Sequence, residues 1–387
     1  MKKFTKLSLV AAVAVAGLSS ANAKPLEEAI KDVEVSGTVT YRYDNRGDDN
    51  GQTKNENNYK INLNLSSKVN DYVKFNSRLN VAKPGSPFGD NGFASLDKDA
   101  GDPDGNPEVR LSHAYFGLSV IPNTTVNVGK QGIATPWTVA TDNDGNEHTG
   151  TGIFSVTAVD NFVVGLAYFN QTNISATNHG TTAAPFYLNG SKDIYAATLQ
   201  ANYGIVNAEA WYLNAVDQFD TYTAAIHGKA DLADNAKIGY EVRYVSLDAE
   251  DAGLSDKNSL LRVAVNGKVG IVNARVAYTT TDKDGGLTAL DQDAQNASLG
   301  WLTSTQGKAD AKYLQTTLGV DILDNLNLSV SYNDLEFDNG SKVEQDELFG
   351  QLTYKMSKNL DGYIRYGTLD NNGLDSNNGR LQVNYKF

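Results

Sequence analysis

Val33-Glu34-Val35-Ser36-Gly37-Thr38-Val39-Thr40-Tyr41-Arg42-Tyr43 alternates without a break. Val33, Val35, Gly37, Val39, Tyr41 and Tyr43 fall on one side, and Glu34, Ser36, Thr38, Thr40 and Arg42 on the other. Successive side chains of a strand point to opposite faces, so this is a strand with one apolar and one polar face. Working outward, the period returns in segments of about ten residues. Tyr59, Ile61, Leu63 and Leu65 alternate with Lys60, Asn62, Asn64 and Ser66; Val73, Phe75, Leu79 and Val81 with Lys74, Asn76, Arg78 and Asn80. Far downstream, Ile238, Tyr240, Val242 and Tyr244 oppose Lys237, Gly239, Glu241 and Arg243, and Leu326, Leu328, Val330 and Tyr332 oppose Asn327, Ser329, Ser331 and Asn333.

Two kinds of connection separate these segments, and they take turns. A short set begins at Ser67, Ile121, Val159, Tyr203, Asp231, Val269, Asp321 and Ser357, rich in the Asn, Asp and Gly that accept hairpin backbone angles. A long polar set covers roughly 44–57, 83–107, 131–150, 171–192, 216–220, 248–257, 281–309, 338–343 and 370–378. Eight short turns and nine long loops predict about 18 strands. A sandwich has no reason to gather its long loops at one end, whereas a membrane barrel has short periplasmic turns, long extracellular loops and alternating lipid and lumen faces. Closure also pairs every backbone N–H and C=O in a medium without water. The predicted fold is therefore all-β, a transmembrane antiparallel up-and-down β-barrel.

Composition agrees and excludes other classes. The 387 residues carry 33 Lys plus Arg against 46 Asp plus Glu, a net charge of -13 that is wrong for a nucleic-acid binder. With no cysteine there is neither a disulfide framework nor a Cys-ligated metal. The longest apolar run, Leu7 to Leu18, is too short for a spanning helix. It follows Lys2, Lys3 and Lys6 and precedes Ala21-Asn22-Ala23, the pattern of a secretory signal cleaved after Ala23. Residues 1–23 are thus expected to be removed, leaving 24–387 as one outer-membrane barrel domain. The mean hydropathy of -0.39 is what half-lipid-facing strands produce, and the 20 tyrosines suit membrane interfaces.

The last strand, Leu381, Val383, Tyr385 and Phe387, is apolar at every second position and ends on an aromatic. This end resembles bacterial outer-membrane barrels, which implies recognition by the barrel-assembly machinery. The stretch Pro25-Leu26-Glu27-Glu28-Ala29-Ile30-Lys31-Asp32, running into VEVSG and TYRYD, resembles the start of the major outer membrane porins of Campylobacter and related bacteria. Gly129-Lys130-Gln131, then Trp137-Thr138, an acidic run and GTG at Gly150 are similar to that family's strand and inward loop. The resemblance implies an eighteen-stranded porin, a homotrimer, passing ions and small hydrophilic solutes with a preference for cations.

An aqueous channel in such a barrel is narrowed by an inward third loop, here 131–150. Asp142, Asp144 and Glu147 would then ring the constriction and attract cations. Period-two bookkeeping places Arg42, Lys60, Lys74, Arg78 and Arg110 on the lumen wall across from them, and Arg243, Arg262, Arg275 and Arg365 on the lumen face further on. A lipid-facing charge at mid-membrane would cost ~2–4 kcal/mol. Asp142 and Asp144 also make a candidate calcium site, as does the cluster Asp97, Asp99, Asp102, Asp104 and Glu108, although neither completes an EF-hand pattern; otherwise no cofactor is implied. The four histidines, His113, His148, His179 and His227, are scattered without a catalytic motif, so no enzyme is expected. The alternative is an adhesin or surface-structural barrel acting through long extracellular loops such as 281–309.

Overall fold

The computed structural model describes residues 33–48, 51, 53–82, 92–95, 107–174, 192–250 and 257–387. Signal-cleavage residues Ala21 and Ala23, the acids Asp97, Asp99, Asp102 and Asp104, and His179 lie outside the described residues.

The strands are β1 (Glu34–Asp48), β2 (Thr53–Lys68), β3 (Val73–Ala82), β4 (Ala94–Ser95), β5 (Glu108–Leu118), β6 (Thr124–Gly132), β7 (Thr149–Val159), β8 (Phe162–Thr172), β9 (Ile194–Tyr203) and β10 (Val206–Ala215). They continue as β11 (Phe219–Ala233), β12 (Ala236–Ala249), β13 (Asn258–Val269), β14 (Val272–Thr281), β15 (Ala309–Leu323), β16 (Leu326–Asp338), β17 (Lys342–Lys355), β18 (Leu360–Asn371) and β19 (Asp375–Lys386). Each pairs antiparallel with its neighbours, and β19 returns to β1, closing the sheet. The two-residue β4 pairs only with the loop-end of β2 inside the second loop, so the wall has eighteen strands, the predicted number and architecture.

The register decides which face each side chain takes. Val39, Tyr41 and Tyr43 stand opposite Tyr385, Val383 and Leu381, all on the outer face, where Leu381, Tyr385 and Phe387 are exposed. Arg42 opposes Gln382 and Asp44 opposes Arg380 on the inner face. Outer side chains such as Leu166, Leu199, Val263, Val276, Leu318, Val330 and Ile364 are exposed around the wall, the apolar band that lipid requires. The final seam is locked by reciprocal backbone bonds between Gly37 and Phe387 (2.9 and 3.1 Å). A side chain at 37 would meet the Phe387 ring 2.6 Å from Cζ, so glycine there leaves room for the terminal aromatic.

All eight predicted short turns are present at one end, between β2 and β3, β5 and β6, and so on to β17 and β18. Asp160 (φ 50°) and Gly270 (φ 57°) take the left-handed backbone expected of them. The opposite end differs from the sequence reading. Connections 216–218, 339–341 and 372–374 are tight turns, with positive φ at Asp217, Gly340, Asn372 and Gly373. Most of 44–57 is strand, with Asn45 paired to Asn55. Polar hairpins continue pairing above the apolar band, where alternation no longer marks them. The long connections are 83–107, 133–148 (loop 3), 173–193, 250–257 and 282–308 (loop 7).

Loop 7 brings the largest correction, because it turns into the barrel instead of standing outside. Leu287, Ala289, Leu290, Ala294, Ala297 and Trp301 are all buried. With Ile133, Trp137, Phe169, Ile194, Leu213, Phe219 and Leu247, Leu287 and Leu290 form a dry core inside the lumen. One side of the interior is therefore packed like a globular protein.

Candidate pore constriction

Loop 3 leaves β6 at Gly132 and folds inward, held at its base by Trp137. The indole is fully enclosed, and its Nε1 donates to Thr221 Oγ1 on β11 at 2.8 Å. A buried indole N–H needs an acceptor, and the apolar core around the ring supplies the rest of the anchorage. From this base the loop crosses to the inner face of β1, β2 and β3, where its acidic tip lands.

Glu147 sits at the centre of that landing, with no exposed side-chain surface. Arg78 approaches Oε1 at 3.2 Å and Lys60 at 3.9 Å, while Asn80 Nδ2 donates to Oε2 at 2.8 Å and Ser112 Oγ donates to the same oxygen. Burial pushes its carboxyl up, but the Lys60 and Arg78 charges and the Asn80 and Ser112 hydrogen bonds outweigh burial and hold it below the usual range. Asp144 pairs with Arg42 Nη1 at 3.1 Å and keeps about a third of its side chain exposed. Arg42 also donates to the Asn143 carbonyl, Lys60 to the Gly145 carbonyl, and the Arg42 guanidinium lies 4.2 Å over the Phe93 ring of the second loop. Gly145 has φ 81°, and a Cβ there would stand 3.0 Å from Phe93 and 3.1 Å from the Lys60 stem.

Asp142 has a different part. Its Oδ1 accepts the backbone N–H groups of Asp144 (2.9 Å) and Asn146 (2.7 Å), and Oδ2 accepts Asn146 Nδ2 (2.8 Å). These bonds set the shape of the loop tip, as an Asx turn does. Among the described residues no group of three or more His, Asp or Glu converges as a metal site.

Asp144 and Glu147 thus lie directly on the basic wall residues Arg42, Lys60 and Arg78, while Asp142 holds the loop between them. The other two basic residues stand apart. Lys74 pairs with Glu34 at 2.8 Å near the short-turn end, and Arg110 with Glu108 at 2.7 Å toward the loops.

Loop 7 completes the constriction from the opposite wall. Leu290 N–H donates to the Trp137 carbonyl and Asn296 N–H to the Pro136 carbonyl, both at 2.8 Å. Asp293 accepts both the backbone N–H and the side-chain amide of Asn143, and His148 Nε2 lies 3.6 Å from Asp291. Behind it, Arg243 holds Gln295 (3.0 Å) and Asn296 (3.3 Å), and Arg262 donates to the Ala297 carbonyl (2.7 Å). Glu347 on β17 accepts the N–H groups of Trp301 (3.0 Å) and Leu302 (2.6 Å). The sequence signal for this second loop was its composition. Leu287, Leu290, Leu299, Trp301 and Leu302 are out of place in a solvated exterior loop.

On the remaining arc, Arg380 pairs with Asp44 at 2.6 Å, and Arg365, its cross-strand neighbour, faces the Trp301, Phe349 and Tyr363 rings at 5.0–5.2 Å. The arrangement is a water-accessible lumen constricted by two interlocked loops.

The family model described as Campylobacter major outer membrane protein matches residues 1–387. No individual curated protein matches the sequence. Among solved structures, OccAB3 of Acinetobacter baumannii superposes with a TM-score of 0.74 at 15% identity, covering 92% of this chain and 99% of that one. OpdK of Pseudomonas aeruginosa with vanillate gives 0.74 at 14% identity, and OpdL of the same organism 0.73 at 15%, with the same coverage. At such identities the likeness is one of fold.

Proposed function

The chain belongs to the Campylobacter major outer membrane protein family, and from that premise we propose that it is a general diffusion porin, passing ions and small hydrophilic solutes with a preference for cations. Family and fold point to an outer-membrane channel, and away from an enzyme. The observation that carries the finer reading is the exposure of Asp144 at the tip of an inward loop. Glu147 is buried among its counter-charges and Asp142 is taken up by the loop's own backbone, so Asp144, paired with Arg42 yet a third exposed, supplies with Asp293 beside Asn143 the field that passing cations meet.

Reversal potentials across a salt gradient in planar bilayers test this. The wild type is expected to conduct with a cation-biased potential, and Asp144→Asn to move that potential toward zero. The double change Asp142→Asn with Asp144→Asn should go no further in selectivity, while loosening the loop. An unchanged potential in Asp144→Asn would overturn the assignment.

The family resemblance supports a homotrimer, and the outer-face row Leu381, Val383, Tyr385 and Phe387 supports recognition by the barrel-assembly machinery after cleavage behind Ala23. Chemical crosslinking in native membranes reads the first, and the mature N-terminus the last. The adhesin alternative rests on long exterior loops such as 281–309, and that segment packs against one side of the lumen.

A further inference from the structure

Between the tip of loop 7 and the inner wall of β10 to β15 lies a cavity of about 780 Å³ that the constriction does not use. Its size is in the range of small-molecule sites. Its charges are largely committed, with two exceptions, the exposed Lys229 on β11 and Arg275 on β14. Glu241 is taken by Arg262 (2.7 Å) and Arg243 (3.6 Å), Arg262 also donates to the Ala297 carbonyl, and Asp293 is held by Asn143. The side chain of Arg275, half-buried on β14, lines the same cavity and makes no hydrogen bond or ion pair with any described residue.

We propose that this cavity binds a small hydrophilic monocarboxylate, with the carboxylate on the Arg275 guanidinium. The inference rests on the porin reading, since it names one solute class that pauses in the channel. Three cations (Lys229, Arg262, Arg275) face two acids (Glu241, Asp293) across the lining, an excess of one positive charge that matches a monoanion. A guanidinium presents paired N–H donors in the geometry of a carboxylate. The side chains of Asn207, Asn266 and His227 line the same space and make no hydrogen bonds with described residues, leaving donors and acceptors for hydroxyl or amide substituents. The Asn266 amide has its place in the wall because residue 239 is glycine; a Cβ there would stand 2.6 Å from Asn266 Oδ1.

Gluconate is a suitable probe and sorbitol its neutral counterpart. In single-channel recordings of the full chain, gluconate is expected to reduce the potassium current saturably, and sorbitol at equal concentration to leave that saturable component absent. Arg275→Gln should weaken gluconate about tenfold or more, the loss of charge-assisted hydrogen bonds. Arg275→Lys, which keeps the charge without the fork, should fall between, and Lys68→Gln, exposed at the short-turn end of β2, should match the wild type. Heat-modifiable gel mobility verifies that each variant is folded. Equal inhibition of wild type and Arg275→Gln, or equal inhibition by sorbitol, would overturn the proposal. Calorimetric titration of gluconate into the detergent-solubilised chain reads the site without conduction. Gluconate heat lost in Arg275→Gln therefore supports the site even if the protein carries no current, whereas no heat with intact potassium conductance refutes the site and spares the porin reading.

Discussion

Glu147 shows how far a residue's role depends on what surrounds it. An acid beside Asp142 and Asp144 in an inward loop reads from sequence as a third selectivity carboxylate, because its spacing is visible and its partners are not. In the fold it is the buried counter-ion of Arg78 and Lys60, strands away in sequence. Removing one member of a buried pair leaves the other charge uncompensated, at a cost of about 3–5 kcal/mol. Glu147→Gln is therefore expected to lower the thermal unfolding temperature and increase current noise, more than it changes selectivity. Because its folded carboxyl is held below the usual range, its stabilisation is full above ordinary carboxylate values and is lost only as pH falls through the depressed one. Lys308 behaves oppositely. Its ammonium is 4.4 Å from the Phe337 ring and donates to Gln345 at 2.7 Å, and burial brings it from 10.5 down to about 8. Between those values the unfolded chain binds a proton that the folded chain has released, so stability should rise with pH across the window, by on the order of 3 kcal/mol in all. Thermal unfolding from pH 7 to 10.5 should show the rise in the wild type and lose it in Lys308→Met.

At the scale of elements, period and turn chemistry were enough for the strands. The alternation at Val33 to Tyr43, and the Asp160 and Gly270 turns, are local properties that a strand or hairpin cannot satisfy otherwise. Loop conformation is not local. Loop 7 turns inward because Leu287 and Leu290 find apolar partners on β8 to β12 and loop 3, because Trp301 packs on Phe349 of β17, and because Glu347 waits on the same strand for two of its N–H groups. None of that is adjacent in sequence. Glu347→Gln keeps the shape but exchanges charge-assisted bonds for neutral ones and turns one acceptor into a donor. The loop's descending limb is expected to detach more often, seen as larger open-channel fluctuations and faster protease cleavage between 299 and 306, with the strand content by circular dichroism unchanged.

For the whole molecule, closure is the cooperative event. The seam between β1 and β19 joins the two ends of the described chain, and its last bonds involve Phe387. Deleting Phe387 removes two backbone hydrogen bonds and the ring over Gly37. The folded fraction after dilution into detergent, read by gel mobility, should fall several-fold, and Gly37→Val should reproduce the defect by evicting the same ring. The strand number and closed wall were legible because lipid imposes a rule on every strand. No such rule applies to the interior, where water, loop or side chain can each satisfy the same polar face, so the filling of the lumen had to be seen.

That filling divides the wall into two mutational climates. Inward positions of β8 to β12, such as Phe169, Leu213 and Leu247, answer to a dry core, where deleting a buried Leu side chain typically costs ~2–5 kcal/mol and a polar replacement more. Inward positions on β18, β19 and β1 away from the buried Asp44–Arg380 pair, such as Thr38, Thr40 and Asn384, answer to water and ions, and tolerate exchange among polar residues at the level of conductance. Sequence drift within this one barrel is therefore expected to be lopsided, conservative along one arc and permissive along the other, so that the course of the water could be traced from variation alone.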